Sequence, residues 1–123
     1  MTELPKDKER CYKSRNSHSA FIEFHLDEHH RKAFSTSHLI TYSLDPNPGA
    51  EDDKIEPAEK LHLAFSTADV VILGWRLDLL AERICENRLY AVSILAKRYA
   101  ELDAGPCVSS ISIQPIEDKT YAQ

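Results

Sequence analysis

The residues best suited to chemistry lie close together. His25, His29 and His30 fall in one short stretch, with Glu23, Asp27 and Glu28 among them. Imidazole nitrogen and carboxylate oxygen suit zinc or another divalent metal, which in an enzyme would activate a water molecule. In an extended segment successive side chains alternate between faces, so Glu23, His25 and Asp27 would share one face. His62 projects from the polar side of a second alternating segment. It would complete a site with His25, Asp27, His29 and His30 if the two segments were neighbours. The plainer account is a solvated strand face ending in a polar turn, because a metal site needs convergence as well as composition.

Two further groups could contact a ligand or a partner. Ser66, Thr67 and Asp69 place two hydroxyls beside a carboxylate, which would suit a small polar ligand. The same residues equally describe a turn whose side chains satisfy nearby backbone donors. Trp75 stands where an apolar run gives way to a helical pattern. There it would either stack on a partner or fill the core, and the core is the commoner use of tryptophan.

Several familiar chemistries have no motif to support them. The three glycines, Gly49, Gly74 and Gly105, are far apart, whereas phosphate-cradling loops cluster theirs. Neither a G-x-S-x-G elbow nor an H-E-x-x-H helix occurs. Cys11, Cys85 and Cys107 are odd in number and widely spaced, so they indicate neither a disulfide framework nor a zinc knuckle. Cys85 and Cys107 read as small core residues, and Cys11 as part of a polar tail. A formal charge of −5 speaks against a general nucleic-acid binder, which needs a basic field. Residues 1–15 are mildly basic and residues 45–59 strongly acidic, an asymmetry that solubility explains.

The elements that would position these residues follow from periodicity. Ile22 and Phe24 alternate with Glu23 and His25, the signature of a half-buried strand. Residues 28–32 read as a polar connection. Ile40, Tyr42 and Leu44 mark a second strand, closed by Asp45-Pro46-Asn47-Pro48-Gly49. Leu61, Leu63 and Phe65 mark a third. After 66–69 comes a fourth, 70–75, apolar on both faces and therefore central. The third and fourth form a hairpin. From Arg76 the period becomes helical, with Leu77, Leu80, Ala81 and Ile84 on one stripe. A left-handed cap at Asn87 would end that helix and leave 89–95 extended; the alternative is a helix running on to Leu102, which would have to carry Asn87 and Arg88 through its buried stripe. Ile111 and Ile113 mark the last strand. Ala33-Phe34-Ser35-Thr36 recurs as Ala64-Phe65-Ser66-Thr67, too short an echo to imply duplication.

The fold class expected is α+β: an antiparallel sheet of four to six strands on one main helix at about 76–87, with a short second helix near 96–102. The organisation expected is a flexible tail over 1–17, one domain over 18–116 with a mobile acidic loop at 45–58, and a second tail over 117–123. One helix cannot cover both faces of such a sheet, so self-association to a homodimer is expected. No apolar run spans a membrane and no secretory signal opens the chain, so the expected location is cytoplasmic. The leading functional expectation is a non-catalytic binding or protein-interaction module. The alternative is a small metal-dependent enzyme built on the histidine and carboxylate cluster with His62.

Overall fold

The computed structural model describes residues 11–48, 57–94 and 105–116. Eight strands and one helix follow in chain order: β1 (Tyr12–Ser14), β2 (Phe21–His25), β3 (Arg31–Ser35), a 3-10 turn (Thr36–His38), β4 (Leu39–Pro46), β5 (Glu59–Phe65), β6 (Ala68–Trp75), α1 (Asp78–Cys85), β7 (Leu89–Ser93) and β8 (Cys107–Pro115). They form two four-stranded sheets, ordered β1-β7-β2-β3 and β4-β5-β6-β8. Every pairing is antiparallel except β2 with β7.

The sheets share one core because each turns an apolar face inward. Ile22, Phe24, Leu89 and Val92 come from the first sheet; Leu61, Leu63, Phe65, Val70, Ile72 and Val108 come from the second. Three aromatic rings join the layers. Phe34 stacks on Phe65 with centroids 4.8 Å apart, and Phe24 meets Phe65 edge-on at 6.2 Å. Both members of the Ala-Phe-Ser-Thr echo thus place their phenylalanines against each other across the core. Such ring pairs add about 0.5–1.5 kcal/mol beyond the area they bury.

α1 packs against β4 and β7 and buries Leu80, Ala81 and Ile84. Its N-cap, Leu77, has no side chain able to cap. Glu59 of β5 supplies the missing acceptor, its carboxylate taking the Leu77 N–H at 2.7 Å, at the end where the helix dipole favours negative charge. The C-terminus closes in a Schellman motif: the Asn87 N–H bonds the Ile84 carbonyl, the Arg88 N–H bonds the Arg83 carbonyl, and Asn87 has φ 59°. This closure frees 89–93 to run as β7.

Two prolines mark the outer borders of the second sheet. The Asn47 N–H donates to the Ala58 carbonyl, and hydrogen-bonded pairs alternate along an antiparallel ladder. Pro46, one residue earlier and opposite Glu59, therefore turns its nitrogen away from β5. The Ile116 N–H donates to the Thr67 carbonyl, so Pro115, opposite Ala68, turns its nitrogen away from β6. Neither proline removes a ladder bond, and each denies a donor to any strand approaching that edge. Register shifts at Ile40 in β4 and at Ser109 in β8 interrupt the same two edges nearer their other ends.

The structure departs from the sequence reading in several places. The expected single sheet is split in two. Residues 11–14 are not tail: Cys11 is fully buried, its carbonyl accepts the Ser93 N–H, and its thiol donates to the Pro106 carbonyl at 3.5 Å. Cys107 is buried as expected, but Cys85 is exposed, because it ends α1 on the side away from the core. The polar connection proper is three residues, Asp27-Glu28-His29, and Arg31 already belongs to β3. The helix expected near 96–102 and the C-terminal tail over 117–123 lie outside the described residues, as does much of the acidic loop.

Candidate functional site

The histidine cluster resolves into turn chemistry. β2 and β3 form a hairpin in which Leu26 N–H donates to the His30 carbonyl at 2.8 Å. Asp27 holds the loop: its Oδ1 accepts the backbone N–H of His29 at 2.7 Å and of His30 at 2.9 Å. The His30 ring lies 2.9 Å from the same oxygen. These contacts, the His29 N–H first and the His30 side chain second, hold the Asp27 carboxyl below its ordinary value of 3.8. His25 pairs instead with Glu23 on the strand face at 3.1 Å, and Arg31 lies 3.6 Å from that carboxylate. His29 is exposed.

His62 stands in the other sheet. β5 and β6 are joined by Ser66 and Thr67, and their register pairs His62 with Val71 and Ala64 with Asp69. His62 and Asp69 are thus diagonal neighbours on one face, with Nε2 and Oδ1 3.0 Å apart. The five residues read as a metal set are therefore distributed over a turn, a strand face and a second sheet. Among the described residues no group of three or more histidine, cysteine or acidic side chains is placed to hold a metal ion.

The His62–Asp69 pair lies on the outer face of the second sheet. Strand alternation puts Lys60, His62 and Ala64 on that face from β5, and Asp69, Val71, Leu73 and Trp75 from β6. All seven are half-buried, whereas the intervening Leu61, Leu63, Val70 and Ile72 are fully enclosed. Thr41, Ser43 and Asp45 extend the face on β4, opposite Ala64, His62 and Lys60, and Ser110, Ser112 and Gln114 extend it on β8, opposite Leu73, Val71 and Asp69. The result is an apolar band with polar borders and a hydrogen-bonded histidine–carboxylate pair at one end. Ser66 and Thr67 form the exposed turn beside it, and Asp69 belongs to the strand rather than to the turn.

Sequence reasoning singled out His62, Asp69 and Trp75 but did not place them on one face, and it passed over Lys60, Val71 and Leu73 as contact residues. A two-residue connection fixes hairpin register, so the diagonal approach of His62 and Asp69 was within reach of the sequence. Another contact escaped it. Tyr42 of β4 meets Cys85 at the end of α1, and desolvation, followed by the nearby thiol, raises its hydroxyl above the ordinary 10.0. No protein-family model, curated protein or solved structure matches this chain. Among the described residues no helix is long and apolar enough to cross a membrane.

Proposed function

We propose that this chain is a non-catalytic interaction module that self-associates through the outer face of its second sheet. One observation carries the reading: Val71, Leu73 and Trp75, on the central strand β6, remain half-buried where their inward neighbours are fully enclosed. Apolar side chains on a central strand favour cover on both faces. The face is also self-complementary in charge. Lys60 opposite Asp45 sets a cation beside a carboxylate, and His62 sets a ring nitrogen beside that of Asp69, so a two-fold axis can bring complementary groups together.

Four strands about 4.8 Å apart and about six residues deep give a patch of roughly 400 Å² in projection. That lies at the low end for specific interfaces and implies weak, concentration-dependent pairing. Sedimentation velocity over a wide concentration range tests the proposal. The unmodified chain passes from monomer to dimer as concentration rises, while Val71→Lys and Leu73→Lys stay monomeric with little change in Tm. A chain that stays monomeric throughout, or variants that pair as well as the parent, would overturn it.

A further inference from the structure

The first sheet has an outer face of its own. Ile22 and Phe24 of β2 point into the core, so Phe21, Glu23 and His25 point out. On β3 the register sets Ser35, Ala33 and Arg31 opposite those three. On the other side of β2, Ala91 of β7 lies opposite Glu23, and Lys13 of β1 lies opposite Ala91. Ser14 then pairs with Leu89, which leaves Tyr90 as the extra residue of a bulge. Leu89 and Val92 belong to the core and Tyr90 does not. Its ring is covered instead by the Arg15 guanidinium, 4.2 Å from the centroid.

This face carries an aromatic group and several cations that the fold itself does not use. Phe21 is 55% exposed although β2 is an interior strand, and a large ring left in water there marks a contact surface. Lys13, Arg15 and Arg88 are exposed, and among the described residues none of them is ion-paired. Arg31 and Arg83, by contrast, each face a carboxylate. The Arg15 N–H donates to the Arg88 carbonyl at 3.0 Å, which sets two like charges on neighbouring backbone, an unfavourable arrangement in isolation. Among the described residues of these strands, Glu23 is the carboxylate on the face, and it is occupied by His25 at 3.1 Å and Arg31 at 3.6 Å.

We infer that the outer face of the first sheet binds single-stranded nucleic acid, with Phe21 and the Arg15–Tyr90 pair as stacking platforms and Lys13, Arg15 and Arg88 as phosphate contacts. Phe21 and Tyr90 stand on the two interior strands, β2 and β7, whose backbones run about 4.8 Å apart. Two neighbouring bases can therefore each find a platform, and stacking of this kind tolerates any base. A guanidinium plane takes a stacked base much as an aromatic ring does. The net charge of −5 counts against wrapping a duplex, which takes a broad basic field. A few unpaired nucleotides need only the local one. Self-association through the second sheet leaves this face open, so neither reading depends on the other.

Fluorescence anisotropy with the full chain and a labelled oligothymidylate of about ten nucleotides tests the assignment. Saturable binding is expected, with a slope of log affinity against log salt of about −2, as three phosphate contacts on a single strand imply. Phe21→Ala should weaken binding about tenfold, as the loss of one stacked base implies, without moving that slope. Lys13→Gln combined with Arg15→Gln should bring the slope to about −0.7, the value for the one contact remaining. A duplex of the same length and a base-free strand of deoxyribose phosphates should each bind at least about tenfold more weakly than the oligothymidylate. No saturable binding, a base-free strand bound as tightly as the oligothymidylate, or an unchanged affinity in Phe21→Ala overturns the assignment. Displacement of the oligothymidylate by polyglutamate at equal charge also overturns it, in favour of an acidic protein partner. Should Phe21→Ala fail to fold, Phe21→Leu keeps an apolar body and removes the ring, and an undiminished affinity there counts equally against the site.

Discussion

Gly74→Ala is a substitution of one methyl group that should come close to dismantling the second sheet. Gly74 is the penultimate residue of β6, and its φ is not positive, so no conformational privilege of glycine is in use. What it supplies is space. The register of β8 shifts between Leu73 and Gly74, and the shift drives the backbone of β8 toward β6. A Cβ on residue 74 would lie 2.0 Å from the Cys107 carbonyl oxygen, 3.0 Å from its carbon and 3.1 Å from the Val108 Cα. Ordinary carbon contacts need about 3.5–4.0 Å, so the two strands must separate by more than an ångström. None of the obstructing atoms is the end of a flexible side chain. Separation costs about two ladder hydrogen bonds at roughly 1 kcal/mol each, and strain around the fully buried Cys107 and Val108 adds about 1–3 kcal/mol. The sum, about 3–5 kcal/mol, is a large part of the roughly 5–15 kcal/mol that holds an ordinary domain together. For a chain of this length it corresponds to a fall in Tm of about 10–20 °C. Thermal and urea unfolding followed by circular dichroism measures it. A Gly74→Ala protein melting within about 2 °C of the parent, with the same denaturant slope, would refute the close approach of β8 and the reasoning built on it.

Other consequences are as open to measurement. Glu59→Ala removes the acceptor from the start of α1 and should cost about 1–2 kcal/mol in urea unfolding, and a loss below a few tenths would show that the carboxylate caps nothing. The Asp27 carboxyl, lowered by its turn, contributes stability that is present above its unfolded value and lost as pH falls through the folded one. The amide resonances of His29 and His30 should therefore titrate below pH 3.8 and stop doing so in Asp27→Asn; a midpoint at or above 3.8 contradicts the turn geometry. Zinc calorimetry should detect no one-to-one site that His25→Ala with His29→Ala removes. A stoichiometric heat lost in that double variant would restore the histidines as metal ligands.

Much of the frame was legible because burial leaves a periodic mark. Ile22 and Phe24, Leu61 and Leu63, Val70 and Ile72 each announce a strand with one enclosed face, and the structure pairs β5 with β6 as the expected hairpin. Asn87 announced the end of α1, since few residues other than glycine tolerate a left-handed backbone. β1 and β3 were illegible for the converse reason. They are edge strands whose side chains mostly meet solvent, and a run such as Arg31-Lys32-Ala33 carries no alternation to read. The split into two sheets rests on Phe34, Phe24 and Phe65 meeting across the core, a long-range event to which no local pattern refers. Composition likewise drew attention to the histidines and cast Asp27 as a metal ligand on a strand face, whereas its carboxylate is engaged by two backbone amides and one ring of the turn. The outer face became visible only once register had set Val71, Leu73, His62 and Asp69 side by side.

The prolines at residues 46 and 115 bear on how far any assembly of this molecule can grow. Runaway fibrous association adds molecules laterally, backbone to backbone, and each new arrival leaves a fresh border for the next. Here both borders of the second sheet lack a donor near one end and lose register near the other. If copies pair through the outer face as proposed, that contact has only one copy of itself to satisfy, and association built that way would close on itself at two.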